Sequence, residues 1–360
     1  MEPKKYEYID SLRGIAVSLV VLVHVAYIYD NQVIQFLPDL VHQFFRNGQL
    51  GVQLFFIASA LTLTMSWNNR LSETKKVKKF FIRRFFRIAP LFYLAIIYFT
   101  FDIFLGFDFS SIDFSNVPLK KMITSFLFIN GLFPTHINGY VPGGWSITVE
   151  FMFYAMAPFL FTKIKNINTS IAFVLLSLLV SYFVNTYFIG SFTNHEEFLY
   201  YSIISQLPVF SLGILCYWII NYKDDTISRK NLVLLAFTLF IFCYLTIPYH
   251  FLYSLIFAVI VIIQSKNPIK LLSNRILAKI GKVSFSMYLV HFAVLSVLDR
   301  VDWANMLSAT NTVNTLGYII LTYIVVFICS YIISNLTYKF IEIPGMNFGK
   351  KLVKKLDATK

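Results

Sequence analysis

Charge is what this chain has least of. Only 14% of its residues are Asp, Glu, Lys or Arg, and the acids are the scarcer part, 18 against 31 bases. A soluble chain carries about 25% charged residues, so a water-covered surface of ordinary composition is excluded. Cysteine is nearly missing as well. Cys216, Cys243 and Cys329 are odd in number and lack metal-ligand spacing, which leaves no disulfide scaffold and no metal site. Each lies in an apolar stretch and is expected to be a small buried hydrophobe. What fills the chain instead is apolar: 57% hydrophobic and 18% aromatic residues, with a mean hydropathy of +0.67. These residues gather in blocks of about 20, the length that crosses a hydrocarbon core of about 30 Å. Disorder and a β-barrel porin are excluded with the soluble classes.

The blocks predict spans at 11–30, 51–67, 88–106, 145–162, 170–190, 199–221, 231–247, 250–264, 281–298 and 316–340. A shorter block, 122–133, ends in Asn130, Gly131 and Pro134 and suits a re-entrant or interfacial segment. The N-terminus has the look of a signal peptide, but no small-residue cleavage site follows Tyr27 to Asp30, so a retained first helix is expected. With ten spans and a cytoplasmic N-terminus, 27 of the 31 basic residues fall on the cytoplasmic side. The formal charge of +13 is then a property of one membrane face, and nucleic acid is not needed to explain it. The expected fold is an all-α polytopic membrane protein with about ten transmembrane helices, one short re-entrant or interfacial helix and both termini cytoplasmic. Residues 1–345 form the transmembrane domain and 346–360 a short basic cytoplasmic tail.

Ionisable groups at membrane depth cost on the order of 2.5 to 3.5 kcal/mol each, which makes them functional candidates. Arg13 and His24 are eleven residues apart, about three turns plus 20°, so they share a helix face with His24 about 16 Å farther along. Arg13 suits an anchor for an anionic cytoplasmic donor, and His24 a base near mid-membrane. In Pro142-Gly143-Gly144-Trp145-Ser146-Ile147-Thr148-Val149-Glu150, the glycines suit a helix entrance, Ser146 a first-turn cap and Trp145 the outer interface. Glu150, about 9 Å in from the outside, is expected to meet His24 at similar depth. The run Arg83-Arg84-Phe85-Phe86-Arg87 suits phosphate recognition by guanidinium forks, or a lipid-headgroup anchor, or both. Ser284, Tyr288 and His291 lie on one stripe of their helix, and His291 would contact the donor or support the core. Asp102 is expected at the interface, and His42, His136, His195 and His250 in exterior loops or at helix ends.

Taken together, these residues resemble the acyltransferase 3 family of integral-membrane acyltransferases. The likeness rests on Leu12-Arg13-Gly14 with the Arg13 to His24 spacing, on Arg83-Arg84-x-x-Arg87-Ile88-x-Pro90, and on Trp145-Ser146-Ile147-x-x-Glu150-x-x-Phe153-Tyr154. It continues through Ser284-Phe285-Ser286-x-Tyr288-Leu289-x-His291 to Glu342-x-Pro344. In the second span, where members often have Ser-Gly-Phe or Ser-Gly-Tyr, this chain has Ser59-Ala60-Leu61.

The resemblance implies a ten-helix enzyme of the bacterial inner membrane. It would move an acyl group, usually acetyl, from cytoplasmic acyl-CoA to a hydroxyl of a cell-surface glycan or its lipid-linked precursor, such as O-antigen, capsule or exopolysaccharide. Acetyl-CoA would be the donor and no metal would take part. His24 would be catalytic with Glu150. Arg13, Arg83, Arg84, Arg87, Ser284, Tyr288 and His291 would face the donor, with Trp145 and Ser146 toward the acceptor. The extracytoplasmic hydrolase-like domain of some members is not expected here. The partners expected are acyl-CoA, the glycan acceptor and membrane lipids. Two other classes fit the residues less closely. One is a proton-coupled transporter of a lipid or sugar, since intramembrane His and Glu also build proton relays; the other is a structural partner in an envelope-glycan assembly.

Overall fold

A computed structural model describes residues 7–28, 37–104, 117–189, 196–222, 249–306 and 311–358. Among the described residues there are helices and no strands. The long ones are α1 (Glu7–Ile28), α2 (Gly51–Asn68), α3 (Lys76–Phe99), α4 (Gly144–Lys163), α5 (Ile167–Phe183), α6 (Ile203–Ile220) and α7 (Tyr249–Lys266). They are followed by α8 (Arg275–Lys282), α9 (Ser284–Arg300), α10 (Thr312–Thr337) and α11 (Ile343–Ala358). Among the described residues, seven helical stretches are long and apolar enough to cross a membrane, and an eighth is formed if α8 and α9, bent by 73° at Val283, count as one span. The expected span at 231–247, with Cys243, lies outside the described residues.

Two of the helices, α10 and α5, are built inside out by the standards of a soluble protein. On α10 the buried residues are Thr315, Ile319, Thr322, Val326, Ser330 and Ser334, three or four apart, while Ile320, Leu321, Ile324, Ile328 and Ile332 are exposed. α5 repeats this, burying Ser170, Ser177 and Ser181 and exposing Leu175, Leu176 and Leu179. Where lipid is the solvent, apolar residues gain nothing by hiding, and hydroxyls seek partners inside the bundle. The chain is thus a polytopic helical membrane protein. Cys216 is buried as expected, but Cys329 is exposed on the apolar outer face of α10, a correction with the same cause.

α1 runs through the middle of the bundle and packs on α2, α8, α9 and α10. Its contact with α8 is backbone on backbone: a Cβ added at Gly281 would stand 1.7 Å from the Asp10 carbonyl oxygen. α8 lies mostly before the expected span at 281–298 and is not among the predicted blocks; Asn274 caps it by accepting from the amides of Ile276 and Leu277.

The expected third span appears as the apolar half of α3 with the π-turn Thr100–Phe104 that follows it. Asp102, expected at the interface, is buried there, held by Ser296 at 2.6 Å and by Arg300 at 2.5 Å. The short block at 122–133 forms the eight-residue helix Leu119–Phe126 and a 3-10 turn, Asn130–Leu132, too short to span. The segment expected as a basic tail is helical through Ala358 and packs along α3. Lys79, almost fully buried, donates to Asp357, and Lys75 donates to the Leu356 carbonyl at 3.1 Å.

Candidate functional site

Between α1, α2, α3, α4 and α9 lies a cavity of about 70 Å³. Of the residues singled out in the sequence, Arg13, Arg84, Arg87, Ser146, Glu150, Ser284 and Tyr288 line it. Three guanidiniums thus share a small space with one carboxylate. Arg13 donates to Thr62 Oγ1 at 2.9 Å and pairs with Asp10 at 3.5 Å. Arg84 Nε is buried with no hydrogen-bond partner among the described residues. An unpaired buried N–H of this kind costs about 1 to 3 kcal/mol, more when charged, so the arrangement is built for an anion.

Arg13 and Thr62 also line a second, larger cavity of about 320 Å³ that reaches Asp10, Ser66, Asn69 and Arg70 at one end of α1 and α2. The two spaces are neighbours across the Arg13–Thr62 bond. Arg83 joins neither. It forks onto Glu73 with two bonds of 2.8 Å, and that guanidinium holds the Glu73 carboxyl below its ordinary range. The expectation for Arg83 at the donor is thereby corrected: its fork is spent on the loop before α3.

Glu150 does not meet His24. One of its oxygens accepts from Ser59 and from Tyr154 Oη at 2.7 Å, which fixes the carboxylate on the cavity wall between α2 and α4. Spacing in the sequence gives the distance between residues along a helix, but the direction of a side chain around the axis depends on tertiary packing. Ser59 and Thr62, which hold Glu150 and Arg13, were not assigned a role in the sequence. Hydroxyls in apolar helices carry little signal, because they also bond their own backbone, as Thr62 does to the Ala58 carbonyl at 2.9 Å.

His24 stands one turn before the end of described α1, nearer that end than the middle, and it does not line the cavity. Its Nδ1 is 2.7 Å from the Val20 carbonyl oxygen and 3.3 Å from His291 Nε2. His291, fully buried, has its Nδ1 3.1 Å from the Met287 carbonyl. The rings of Phe292 and Tyr288 stand beside this pair: Phe292 meets His24 edge-on at 4.5 Å, and Tyr288 lies 5.9 Å from His291.

Tyr288 forms the partition between the cavity and the histidines. Its hydroxyl donates to the Gly143 carbonyl at 3.0 Å and accepts from Ser146 at 2.8 Å. Ser146 is therefore a tie to α9, and it makes no capping bond at the start of α4. Gly143 itself has φ +69°, and a Cβ there would fall 2.5 Å from the Phe292 ring. Trp145 is buried outside the cavity, stacked on Tyr201 at 4.3 Å and edge-on to Phe56.

Two further expectations meet the structure here. His250 is buried against Tyr200, with Nε2 3.4 Å from the Ser205 carbonyl, and is not solvated as expected of an exterior residue. Glu342, quoted only as part of a terminal motif, is buried in the π-turn Tyr338–Glu342 and accepts from Ser286 on α9. His195 lies outside the described residues. Among the described residues no cluster of His, Cys, Asp or Glu has the arrangement of a metal site.

Residues 6–335 match a family model described as an acyltransferase domain. A protein of Acidianus two-tailed virus that bears the name of an acetyltransferase is 27% identical over 306 residues, covering 81% of this chain and 84% of its own length. A Staphylococcus aureus (strain COL) protein named as an O-acetyltransferase is 25% identical over 97% of this chain and 59% of its own. The peptidoglycan O-acetyltransferase OatA of Listeria monocytogenes is 24% identical over 93% of this chain and 55% of its own. The chain thus spans somewhat more than half the length of these two bacterial relatives. No solved structure matches. With the family match running over nearly its whole length, through the residues that build the cavity, this chain belongs to the acyltransferase family.

Proposed function

We propose that the enzyme moves an acetyl group from cytoplasmic acetyl-CoA to a hydroxyl of a cell-surface glycan or its lipid-linked precursor, with His24 at the point of transfer. The observation that carries this reading is the cavity in which Arg13, Arg84 and Arg87 face a single Glu150, with Arg84 Nε buried and, among the described residues, without a hydrogen-bond partner. Phosphates of a CoA-type donor match such guanidiniums bidentately. The larger neighbouring cavity beyond Arg13 and Thr62 gives that donor an approach from the end of the bundle that carries Asp10 and Arg70, the end assigned to the cytoplasm by the distribution of basic residues. A glycan acceptor is favoured by the name of the Listeria relative, a peptidoglycan O-acetyltransferase.

On this reading the thioester passes the Tyr288 partition to reach His24. The acceptor hydroxyl oxygen attacks the thioester carbonyl while its proton goes to the imidazole; the C–S bond then breaks and the proton passes to the leaving thiolate. A covalent route, with the imidazole accepting the acyl group before the hydroxyl does, uses the same residue. The test is one preparation assayed in two ways. His24→Ala should insert and bind radiolabelled acetyl-CoA as the unmodified protein does, yet transfer no acetyl to envelope glycan, read as loss of the 42 Da increment of an acetyl group. Arg84→Ala should weaken donor binding at least tenfold, the loss expected from an unpaired charge-assisted contact. Undiminished transfer by His24→Ala would overturn the assignment, and a protein that binds no acetyl-CoA would return the transporter to consideration.

A further inference from the structure

The two histidines at the end of α1 and in α9 fix each other's protons. A carbonyl oxygen only accepts, so the Met287 carbonyl, 3.1 Å from His291 Nδ1, requires the proton there. His291 Nε2 is then a bare acceptor. The Val20 carbonyl, 2.7 Å from His24 Nδ1, likewise requires a proton on that nitrogen, and this one N–H is shared with His291 Nε2 at 3.3 Å. The other tautomer of His24 would set two lone pairs and a carbonyl against one another. His24 Nε2 is thereby left as the nitrogen with the free lone pair, and no described residue hydrogen-bonds it.

We infer that His291 is the positioning residue of this enzyme: it holds His24 in the tautomer whose Nε2 is the base, and it orients the ring through the shared Nδ1 proton. In a serine-hydrolase triad a carboxylate does this from behind the histidine. Here the acceptor is a neutral imidazole, which suits a site at membrane depth because it brings no second charge into the hydrocarbon. Its own orientation is fixed three ways: by the Met287 carbonyl, by burial, and by Phe292 packed on it at 4.0 Å. Proton flow is balanced on this arrangement. The acceptor hydroxyl gives its proton to His24 Nε2, the O–C bond forms, the C–S bond breaks, and the same proton leaves with the thiolate. The Nδ1 proton stays where Val20 and His291 hold it throughout. Glu150 is free of this task and remains on the donor cavity wall with Ser59 and Tyr154.

The inference rests on His24 acting as the base, and two measurements separate its failure from a failure of that reading. The first uses protein labelled with ¹⁵N-histidine in lipid bilayers, with the His24 signals assigned by their loss in His24→Ala. Unmodified protein should show a protonated Nδ1 and a bare Nε2 at His24, and His291→Leu a mixture of both tautomers. A His24 protonated on Nε2 in the unmodified protein overturns the inference whether or not the enzyme is active. The second follows acetyl-CoA consumption in membranes that contain the native acceptor. His291→Leu should lower kcat about 100-fold, within the range by which a positioned base contributes, and leave the KM for acetyl-CoA within about twofold. His291→Gln, whose amide oxygen accepts near the position of Nε2, should recover to within about tenfold of the unmodified enzyme. If His24→Ala is inactive while His291→Leu keeps full kcat, the positioning role is refuted and the base assignment stands. If His24→Ala stays active, the base assignment falls, and the tautomer measurement still decides whether His291 sets the proton.

Discussion

Gly143 shows how little freedom single positions have around the Tyr288 partition. Its φ of +69° lies where a residue with a Cβ is strained, and the missing Cβ leaves the space that Phe292 and Tyr288 occupy. Gly143→Ala therefore meets two penalties, about 1 to 2 kcal/mol for the left-handed backbone and about 1 to 3 kcal/mol for overpacking. A loss of about 3 kcal/mol of folding stability is expected, with faster thermal unfolding in detergent; an unchanged midpoint would mean that the partition relaxes without cost. Gly144, whose nearest neighbours stand at 3.4 Å or beyond, should tolerate the same change better and serves as the control. The adjacent pair of glycines thus does two different jobs, one of space and backbone and one of neither.

Among the elements, α3 is the one on which most depends, because each of its faces is spoken for. Arg84 and Arg87, three residues apart and so neighbours on the helix surface, line the cavity. Phe86 and Pro90 face α11 through Gly345 and Gly349, while Lys79 and Arg83 tie down Asp357 and Glu73. The Glu73–Arg83 fork has a pH signature. Arg83 depresses the Glu73 carboxyl from its ordinary value of 4.5, so its contribution is complete above that value and fades as pH falls through the lowered one. Both side chains are about one-fifth exposed, and solvent screening limits the pair to about 0.5 to 1 kcal/mol. Glu73→Gln should lower the melting midpoint slightly at pH 7, by a difference that shrinks as the pH falls below 4.5 through the lowered value. A difference that persists undiminished however far the pH is lowered below 4.5 would show that the fork does not carry it. The sequence displayed all three arginines but not which would be claimed by Glu73, since a loop that folds back onto a helix leaves no periodic trace. The Glu150 to His24 pairing failed for a related reason. A helix fixes which residues share a face, while packing decides what that face looks at.

For the molecule as a whole, orientation is the property that the sequence states most directly and that the helices themselves leave open. The distribution of basic residues leads us to expect the loop before α3 and helix α11 on the cytoplasmic side, and the segment between Leu119–Phe126 and α4 on the outer side. In a chain with Cys216, Cys243 and Cys329 replaced, Ser72→Cys should react with a membrane-impermeant maleimide only after the cells are opened. Thr135→Cys, also on an exposed residue, should react in intact cells, and the reverse pattern would invert the cavity's donor side. Membrane class, most of the spans and the residues of the cavity were legible because hydropathy and intramembrane charge are strong, local signals. The bend at Val283, the role of Ser59 and Thr62 and the pairing of His24 with His291 were not, because each depends on what a second helix brings.

The reversed pattern of α5 and α10, hydroxyls inward and isoleucine or leucine outward, also changes what stability means for this protein. In a soluble enzyme of this size, unfolding wets a large apolar interior, and the free energy falls steeply with urea in proportion to the surface newly exposed to water. Here the apolar surface already faces lipid or detergent and stays there when helices separate, while the small hydroxyl contacts that part are worth about 0.6 kcal/mol apiece. Denaturant therefore has little purchase on the bundle, and the thickness and composition of the surrounding amphiphile take over as the variables that set how firmly α1 and α9 hold their histidines together.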